Sequence, residues 1–296
     1  MAATGDESAY LALVQKILDE GDIRHGRNGV TKSLFGERLE FHLNGGTTFP
    51  LLTTKRVFWR GVVEELLWFL RGSTDATELQ RKGVHIWDGN SSRDFLDSVG
   101  LQHVPEGHIG LGYGHQWRNF NGTATKKNGV DQLAFILEEL RSNPHGRRCI
   151  LSAWNPCQLR EAALPPCHVT YQFYVDAHGL SCQMFQRSVD TMAGMPFNIA
   201  STACFTMILA HILGVPAHRV ILVTGDTHIY EAHWDNARIQ VDRTPHPPPA
   251  VRILKEAPAK DASISSILGW IESLTFEDFE LDNYAYHFAL YFPMIA

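Results

Sequence analysis

The order of strand-like and helix-like segments constrains the fold of this chain more than any other feature. Three strand-like runs follow one another at residues 149–154, 169–175 and 180–185, and the turn residues 176–179 favour a hairpin between the last two. Helix-like segments precede and follow this group. Strands that occur in pairs and threes between helices, without regular β–α alternation, indicate an α+β fold around a large mixed or mainly antiparallel sheet.

The rest of the chain fits this fold class and contains no linker that would divide it. Helices are predicted at residues 10–18, 62–70, 133–140, 199–213 and 230–241. Further strands are predicted at residues 34–36, 39–43 and 220–223, with a polar turn at residues 24–29. We therefore expect a single α+β domain over residues 1–296.

Composition argues against several classes of protein. The net charge is −6 and the chain has no basic stripe, so we expect no nucleic-acid partner. The apolar stretches look shorter than the ~20 residues that span a bilayer, and the acidic start lacks the features of a secretory signal. Five cysteines without CxxC pairs and fifteen histidines without metal-ligand spacing predict neither disulfides nor a metal site. We expect a cytoplasmic protein that does not bind membranes.

Cys167 is the first candidate for chemistry, because it stands between two prolines and His168, just before a predicted strand. An unperturbed thiol has a pKa of about 8.5, so a nucleophilic role needs a cationic neighbour. His168 is a poor choice for that neighbour, because adjacent side chains on a strand point to opposite faces. An arginine brought in by the fold is a better one. On the sequence alone, Cys167 as a small buried core residue is an equally good interpretation.

Several polar side chains allow both a binding role and a structural one. Arg187 suits a phosphate or carboxylate, or it forms a surface pair with Asp190. Arg147 and Arg148 form either half of a phosphate site or a solvated turn. Asn198 stands at a predicted helix start, where capping is its ordinary role.

Two glutamates interrupt the apolar segment at residues 62–70. An unpaired carboxylate is very costly to bury, so each of them needs water, a partner or a cleft. Either Glu64 or Glu65 can face solvent, but the segment cannot easily expose both. Glu65 is therefore a candidate for work in a cleft.

Eight blocks, in order along the chain, carry a resemblance to a known family. They occupy residues 49–56, 65–72, 86–88, 113–118, 164–168, 186–188, 196–200 and 225–230. Together they resemble the folate-dependent thymidylate synthase family over roughly residues 10–296. The resemblance implies a homodimer whose α+β subunits meet sheet to sheet. It also implies dUMP and 5,10-methylenetetrahydrofolate as substrates, with dTMP and dihydrofolate as products.

The resemblance assigns roles to individual residues. Cys167 adds to C6 of uracil, Glu65 organises water and proton transfer near O4, and Tyr113 assists removal of the C5 proton. Asn198 complements uracil N3–H and O4, and it joins Arg187 in the catalytic set. The implied nucleotide ligands are Arg27, Arg147, Arg148, Arg187, Ser188, Asp190, Asn198, His228 and Tyr230, with Arg147 and Arg148 arriving from the partner subunit. The implied folate ligands are Trp87, Asp190 and Ile295, and no metal is implied.

Besides residues 107–114 and 201–202, the chain departs from the family pattern at two notable places. The arginine loop, from Arg27 to Gly36, is one residue shorter than the usual pattern. Near the end, residues 284–288 replace the family's YxPHP and lack both prolines. The second change lies in the segment that is implied to close over the folate.

Three other functions remain open on the sequence. A pyrimidine nucleotide hydroxymethylase on the same fold would quench the exocyclic methylene with water instead of hydride. A cytosine-specific version would favour Asp at position 198, so Asn198 favours dUMP. A cysteine hydrolase would need a contact between Cys167 and His168, which strand alternation opposes. An inactive nucleotide-binding or RNA-binding module would have no need to retain Cys167, Glu65 and Asn198 together.

Overall fold

A computed structural model of the chain describes residues 7–26 and 28–295. The α-helices in this part are α1 Glu7–Glu20, α2 Trp59–Leu70, α3 Thr77–Gln80, α4 Asp88–Ser91, α5 Arg93–Ser98, α6 Gly114–Asn119, α7 Gln132–Ser142, α8 Met195–Leu213, α9 Trp234–Val241 and α10 Ile264–Glu272. The strands are β1 Asp22–Gly26, β2 Gly29–His42, β3 Ile150–Ser152, β4 His168–Asp176, β5 Gly179–Asp190, β6 Ala217–Tyr230, β7 Ala250–Ile253 and β8 Phe279–Asp282.

The chain folds into two compact units, each assembled from separate stretches of sequence. Unit 1 contains residues 1–58, 175–254 and 279–296, and unit 2 contains residues 59–174 and 255–278. The expectation of a single domain stays a prediction.

Unit 1 is built on a mixed sheet with strand order β1-β2-β6-β5. Strands β1 and β2, and strands β2 and β6, run antiparallel, whereas β5 and β6 run parallel. Helix α8 connects β5 to β6 and packs on both of them. The register places Ser188 opposite Asp226 and Asp190 opposite His228. The prediction of an α+β fold with a large mixed sheet is confirmed.

Helix α8 corrects one expectation from the sequence. It has 19 residues and is long and apolar enough to cross a membrane by length and composition, so the apolar stretches are not all too short for that. However, 83% of its apolar window is buried inside the protein. A helix that is apolar on every side is typical of the core of a large domain as well as of a membrane span. Gly214, with φ +67°, ends the helix in the left-handed conformation.

Unit 2 combines helices with the short antiparallel pair β3 and β4. Helices α6 and α7 pack on each other, and α6 also packs on α2. An aromatic cluster fills the centre of this unit: the ring of Phe69 lies 5.6 Å from that of Trp117, which lies 5.3 Å from that of Tyr171. All three side chains are buried. This cluster forms the base on which the candidate catalytic residues of unit 2 rest.

Three segments differ from the boundaries that the sequence predicts. Residues 22–26 form strand β1, paired with β2, where a polar turn was expected to begin at residue 24. Strand β2 is continuous from Gly29 to His42, where the sequence predicts two short strands at residues 34–36 and 39–43. Strand β6 extends to Tyr230, so the block at residues 225–230 lies in a strand and the helix after it is shorter. In each case a neighbouring strand supplies hydrogen bonds that local propensity does not reveal.

Candidate active site

Cys167 lies immediately before β4, at the point where the proline-containing segment enters the strand. Its backbone N–H donates a hydrogen bond of 2.8 Å to the hydroxyl oxygen of Tyr113. Cys167 is partly exposed to solvent, so it is not a fully buried core residue. The interpretation of Cys167 as a fully buried residue is therefore excluded, and Tyr113 is brought to the candidate nucleophile.

Tyr113 is held in an unusual backbone conformation. Its φ of +28° is in a region that L-residues rarely adopt, and strain of this kind clusters at functional sites. Its ring stacks on Phe69 with centroids 4.9 Å apart and an angle of 12° between the planes. Burial, together with the nearby Cys167, holds the pKa of the phenol well above its ordinary value. Tyr113 is therefore a neutral hydroxyl near neutral pH, suited to ordering water rather than acting as a phenolate.

Glu65 projects from the buried helix α2 and accepts a 2.7 Å hydrogen bond from the indole N–H of Trp87. Burial raises the pKa of Glu65 from 4.5 to about 7, although the bond from Trp87 acts in the opposite direction. A group that titrates near the working pH can both take up and release a proton efficiently. Glu65 thus has the protonation behaviour that a proton-transfer role needs. Trp87, expected to face the folate, is here the partner that orients Glu65.

Glu64 takes one of the three options open to a carboxylate in this apolar helix, a charged partner. Neither carboxylate faces solvent: Glu64 is 3% exposed and Glu65 is 8% exposed. Glu64 instead lies 2.6 Å from the ammonium nitrogen of Lys82. The sequence allowed one of the pair to face solvent, but the ion pair removes the need for water at Glu64.

His168 belongs to the buried aromatic cluster of unit 2. Its Nδ1 lies 3.1 Å from the hydroxyl oxygen of Tyr171, and its ring meets that of Tyr113 edge-on at 5.8 Å. The imidazole is 5% exposed. These contacts give His168 a packing role beneath the site.

Arg147 and Arg148 lie in the segment between α7 and β3, and both are exposed. The strand that follows begins at Ile150 and pairs with β4. The exposure of two adjacent cations agrees with a solvated turn and equally with a surface that meets a partner subunit. Arg27 lies outside the described residues.

Unit 1 carries the other candidate side chains, which the parallel pair β5 and β6 places side by side. Arg187, Ser188 and Asp190 come from the end of β5, and His228 and Tyr230 come from the end of β6. Close approach of the strands depends on Gly225, because a Cβ there would lie 2.5 Å from the carbonyl oxygen of Arg187. Two blocks that are distant in sequence are thus brought together along one edge of the sheet.

Asn198 lies in the first turn of α8, four residues after the cap position, which Gly194 occupies. Its side-chain oxygen accepts a 2.8 Å hydrogen bond from the amide of Gln186, and both side chains are buried. The capping role that its position suggested is therefore wrong. Because the Gln186 amide donates to Oδ1, the Asn198 amide is oriented, with its oxygen and its NH₂ group on defined sides.

His228 and Tyr230 line a surface pocket of about 380 Å³ together with Ser188. The rings of His228 and Tyr230 meet edge-on with centroids 5.0 Å apart. The Nδ1 atom of His228 lies 2.9 Å from the carboxylate of Asp226, which also lines the pocket. Hydroxyl, imidazole and carboxylate groups around a small open pocket suit a hydroxylated, polar ligand.

Asp190 shapes the turn that leads into α8. Its Oδ1 atom accepts hydrogen bonds from the backbone N–H groups of Met192 and Ala193, at 2.9 and 3.1 Å. The buried Lys55 donates to the carbonyl oxygen of Met192. Burial lowers the pKa of Lys55 to about 8, against the opposing effect of the Asp190 charge.

The C-terminal segment is fastened to unit 1 despite its two missing prolines. The imidazole Nε2 of His233 lies 2.8 Å from the carbonyl oxygen of Pro293. The amide of Asn236 donates to the carbonyl oxygen of Tyr291 at 2.8 Å. The ammonium group of Lys55 lies 4.4 Å from the ring centre of Phe292. These contacts leave Ile295 half-buried at the end of the described chain.

The sequence alone does not single out two residues that contact the candidate side chains. Gln186 and Asp226 stand in the matching blocks, but neither was assigned a role. Their positions next to Arg187 and two residues before His228 were the available signal. No group of three His, Cys, Asp or Glu side chains that could hold a metal ion was found in the part of the chain that the structure describes.

Each unit carries groups that indicate the class of the protein. In unit 2, the partly accessible Cys167 and the buried Glu65, whose pKa is raised to about 7, suit an enzyme that works through a covalent intermediate. The polar pocket and the oriented Asn198 belong to a site for a small polar substrate.

Comparison with known proteins gives the family. The family model described as thymidylate synthase matches residues 8–296. A thymidylate synthase of human herpesvirus 8 is 47% identical over 95% of this chain and 82% of its own length, and that of equine herpesvirus 2 is 47% identical over 96% of both chains. A bifunctional dihydrofolate reductase-thymidylate synthase of Arabidopsis thaliana is 45% identical over 95% of this chain and 53% of its own length. This chain belongs to the thymidylate synthase family, whose members are enzymes of the methyltransferase type.

Proposed function

We propose that this chain converts dUMP into dTMP by reductive methylation, with 5,10-methylenetetrahydrofolate as the cosubstrate. The proposal rests on three groups of unit 2. In unit 2, the Cys167 amide is bound to the Tyr113 hydroxyl, and Glu65 in the same unit has a pKa of about 7. A nucleophile, an ordered hydroxyl and a carboxylate that can exchange protons are the groups that addition to a pyrimidine requires.

In the proposed reaction the Cys167 thiolate forms a bond to C6 of uracil, which makes C5 nucleophilic. Glu65 supports the negative charge that develops at O4 by supplying a proton through water. C5 bonds to the methylene carbon of the folate. After C5 loses its proton, the bond from that carbon to the folate nitrogen breaks, and hydride from the folate reduces the exocyclic methylene and leaves dihydrofolate. Tyr113, as a neutral hydroxyl, orders the water that receives the C5 proton. The bond between Cys167 and C6 breaks when the C5–C6 double bond forms again.

The side chains of unit 1 suit the remaining parts of both substrates. Arg187 and Ser188 offer charge and a hydroxyl to the phosphate, and Asn198 offers an acceptor and a donor to the uracil edge. His228 and Tyr230 suit the sugar hydroxyl. For the folate, the half-buried carboxylate of Asp190 suits the N–H donors of a pterin. Ile295 would help to close the site.

The proposal is tested by incubating the protein with dUMP and 5,10-methylenetetrahydrofolate while recording the absorbance of dihydrofolate. The expected result is one dihydrofolate for each dTMP, with the nucleotide identified by mass. Formation of 5-hydroxymethyl-dUMP without dihydrofolate would contradict the proposal and revive the hydroxymethylase alternative. The comparisons give that alternative no support.

Substituting Asn198→Asp should change the base preference. The aspartate keeps an acceptor but loses the NH₂ donor that complements uracil O4. Cytosine reverses the uracil pattern, because it presents an acceptor at N3 and an amino donor at C4. The ratio of kcat/KM for dCMP to that for dUMP should therefore rise by about 100-fold or more. The control is Asn198→Ala, which should weaken the use of dUMP without improving that of dCMP. An unchanged ratio in the aspartate variant would refute the proposed role of Asn198.

We also propose that the protein is a cytoplasmic homodimer, in which Arg147 and Arg148 of one subunit contact the phosphate of the dUMP bound to the other. Both arginines are exposed, which supports their availability to a partner. On β4 of the same unit, the large apolar side chain of Tyr174 is 58% exposed. Ile150, on the neighbouring strand β3, is 42% exposed, and apolar side chains exposed on adjacent strands contribute to a surface that a second copy can cover. The cysteines of the described chain are thiols, which agrees with a reducing compartment.

Mixing two inactive variants tests whether each active site takes Arg147 and Arg148 from the partner subunit. Cys167→Ala lacks the nucleophile, and the double variant Arg147→Ala/Arg148→Ala lacks the cations. If each site combines Cys167 of one subunit with arginines of the other, co-refolded mixtures should recover about a quarter of the parental activity, because half of the dimers are mixed and each has one complete site. Mixing two samples of the same variant is the control. No recovery, with mixed dimers confirmed by native mass spectrometry, would contradict the exchange.

A further inference from the structure

Asp226 interacts with three other polar side chains at the edge of the pocket in unit 1. Its Oδ1 atom lies 2.9 Å from Nδ1 of His228 and accepts a 3.0 Å hydrogen bond from the hydroxyl of Ser33. Its Oδ2 atom lies 3.3 Å from the guanidinium of Arg24. The side chain of Asp226 is 35% exposed and that of His228 is 12% exposed, so the pair stands at the pocket wall. Both carboxylate oxygens are thus engaged.

The carboxylate determines which nitrogen of His228 carries the proton. An ionised carboxylate only accepts hydrogen bonds, so the short contact places a proton on Nδ1. A neutral imidazole protonated at Nδ1 has an unprotonated Nε2, which accepts a hydrogen bond. The edge-on contact with Tyr230 at 5.0 Å and 84° further limits rotation of the ring. The imidazole is therefore fixed in both tautomer and plane before any ligand arrives.

A deoxyribonucleotide has one free hydroxyl on its sugar, at the 3′ position. An Nε2 acceptor can take the proton of that hydroxyl, whereas an Nε2–H group could only donate to its oxygen. We infer that Asp226 is a positioning residue that makes His228 an acceptor for the sugar 3′-hydroxyl, and so selects nucleotides that carry one. This inference rests on the proposed function, because it takes the ligand of the pocket to be dUMP.

The test compares dUMP with 2′,3′-dideoxyuridine 5′-monophosphate, which lacks the 3′-hydroxyl. The parental enzyme should prefer dUMP in kcat/KM, and Asp226→Ala should reduce that preference by about tenfold, the value of a typical hydrogen bond. His228→Ala should reduce it by a similar factor. The double variant should show no additional loss, because the two residues act as one unit. A merely structural role for Asp226 would lower kcat/KM for both nucleotides equally.

Asp176→Ala is the matched control. It removes a carboxylate that lies 3.8 Å from the imidazole Nδ1 of His218, another His–Asp pair in unit 1 whose residues do not line this pocket. The preference for dUMP should remain at the parental value in this variant. A loss of preference equal to that of Asp226→Ala would assign the effect to general destabilisation and overturn the inference.

A second measurement is made on the parental protein itself. Nitrogen-15 NMR of the parental protein, with the His228 signals assigned from the spectrum of His228→Gln, should show the tautomer protonated at Nδ1. The other tautomer would overturn the inference. If the parental enzyme fails to convert dUMP at all, the proposed function fails; if it converts dUMP and Asp226→Ala keeps the full preference, only the role of Asp226 fails.

Discussion

Replacing Cys167 by alanine is expected to abolish turnover while leaving dUMP binding within a few-fold of the parental affinity. The thiolate forms the covalent bond to C6, so kcat should fall on the order of 10⁵-fold or more when the nucleophile is removed. Binding should survive because the proposed contacts to phosphate, sugar and base come from other side chains. Calorimetric titration with dUMP and the dihydrofolate assay measure the two quantities on the same sample.

Cys157→Ala provides the matched control, because Cys157 is an exposed thiol in the same unit. It should retain the parental kcat. A 5-fluoro analogue of dUMP, added together with 5,10-methylenetetrahydrofolate, sharpens the test. Once C5 has bonded to the methylene carbon of the folate, it cannot release fluorine as it releases a proton, so the covalent adduct should persist. Intact-protein mass spectrometry should then show the adduct in the parental protein and in Cys157→Ala, but not in Cys167→Ala. An adduct in the alanine variant would identify a different nucleophile.

The sequence predicted much of the local structure in unit 1 but not the full length of its strands. Residues 224–226 contain Thr, Gly and Asp, which locally favour a turn. The structure continues β6 through them because β2 and β5 pair with it on both sides. Gly225 is needed for close approach to Arg187, not for a turn. Such a role depends on a strand more than thirty residues earlier, so it is not visible in a local pattern.

The residue types predicted which side chains carry the chemistry of the site. They did not predict which residues these side chains contact. Cys167 and Glu65 could be singled out because a thiol before a strand and an acid in an apolar helix both require an explanation. The hydrogen bond from Cys167 to Tyr113 joins residues 54 positions apart, and that between Glu65 and Trp87 joins residues 22 apart. The fold alone determines these pairs. The fold likewise determines the ion pair between Lys82 and the buried Glu64.

Substituting Glu65→Gln is expected to make the protein less active and, above neutral pH, more stable. The pKa of Glu65 is raised from 4.5 to about 7, mainly by burial. Below pH 4.5 the group is neutral in both the folded and the unfolded state, and its contribution to stability is fully present. That contribution is lost as the pH rises through about 7. The difference between a pKa of 4.5 in the unfolded state and about 7 in the folded state corresponds to about 3 kcal/mol of unfolding free energy.

Glutamine is neutral at every pH and its side-chain oxygen can still accept the hydrogen bond from Trp87. The free energy of unfolding of the variant should therefore match that of the parent near pH 4.5 and exceed it by up to about 3 kcal/mol at pH 8.5. Urea unfolding of both proteins at these two pH values measures the difference. At the same time kcat should fall by about 10² to 10⁴-fold, because proton transfer through Glu65 is lost. The two effects have one cause, the burial of an ionisable carboxyl.

Glu64→Gln is the control, because it alters the adjacent buried glutamate without touching Trp87. This substitution removes the ion pair with Lys82, 2.6 Å away, and should destabilise the protein at pH 8.5 instead of stabilising it. Its kcat should remain far closer to the parental value than that of Glu65→Gln. The pH dependence of kcat adds a third measurement: the parent should show an apparent pKa near 7, and Glu65→Gln should not. If Glu65→Gln is no more stable than the parent at pH 8.5, the carboxyl is not held at a raised pKa, and its role in proton transfer loses its physical basis.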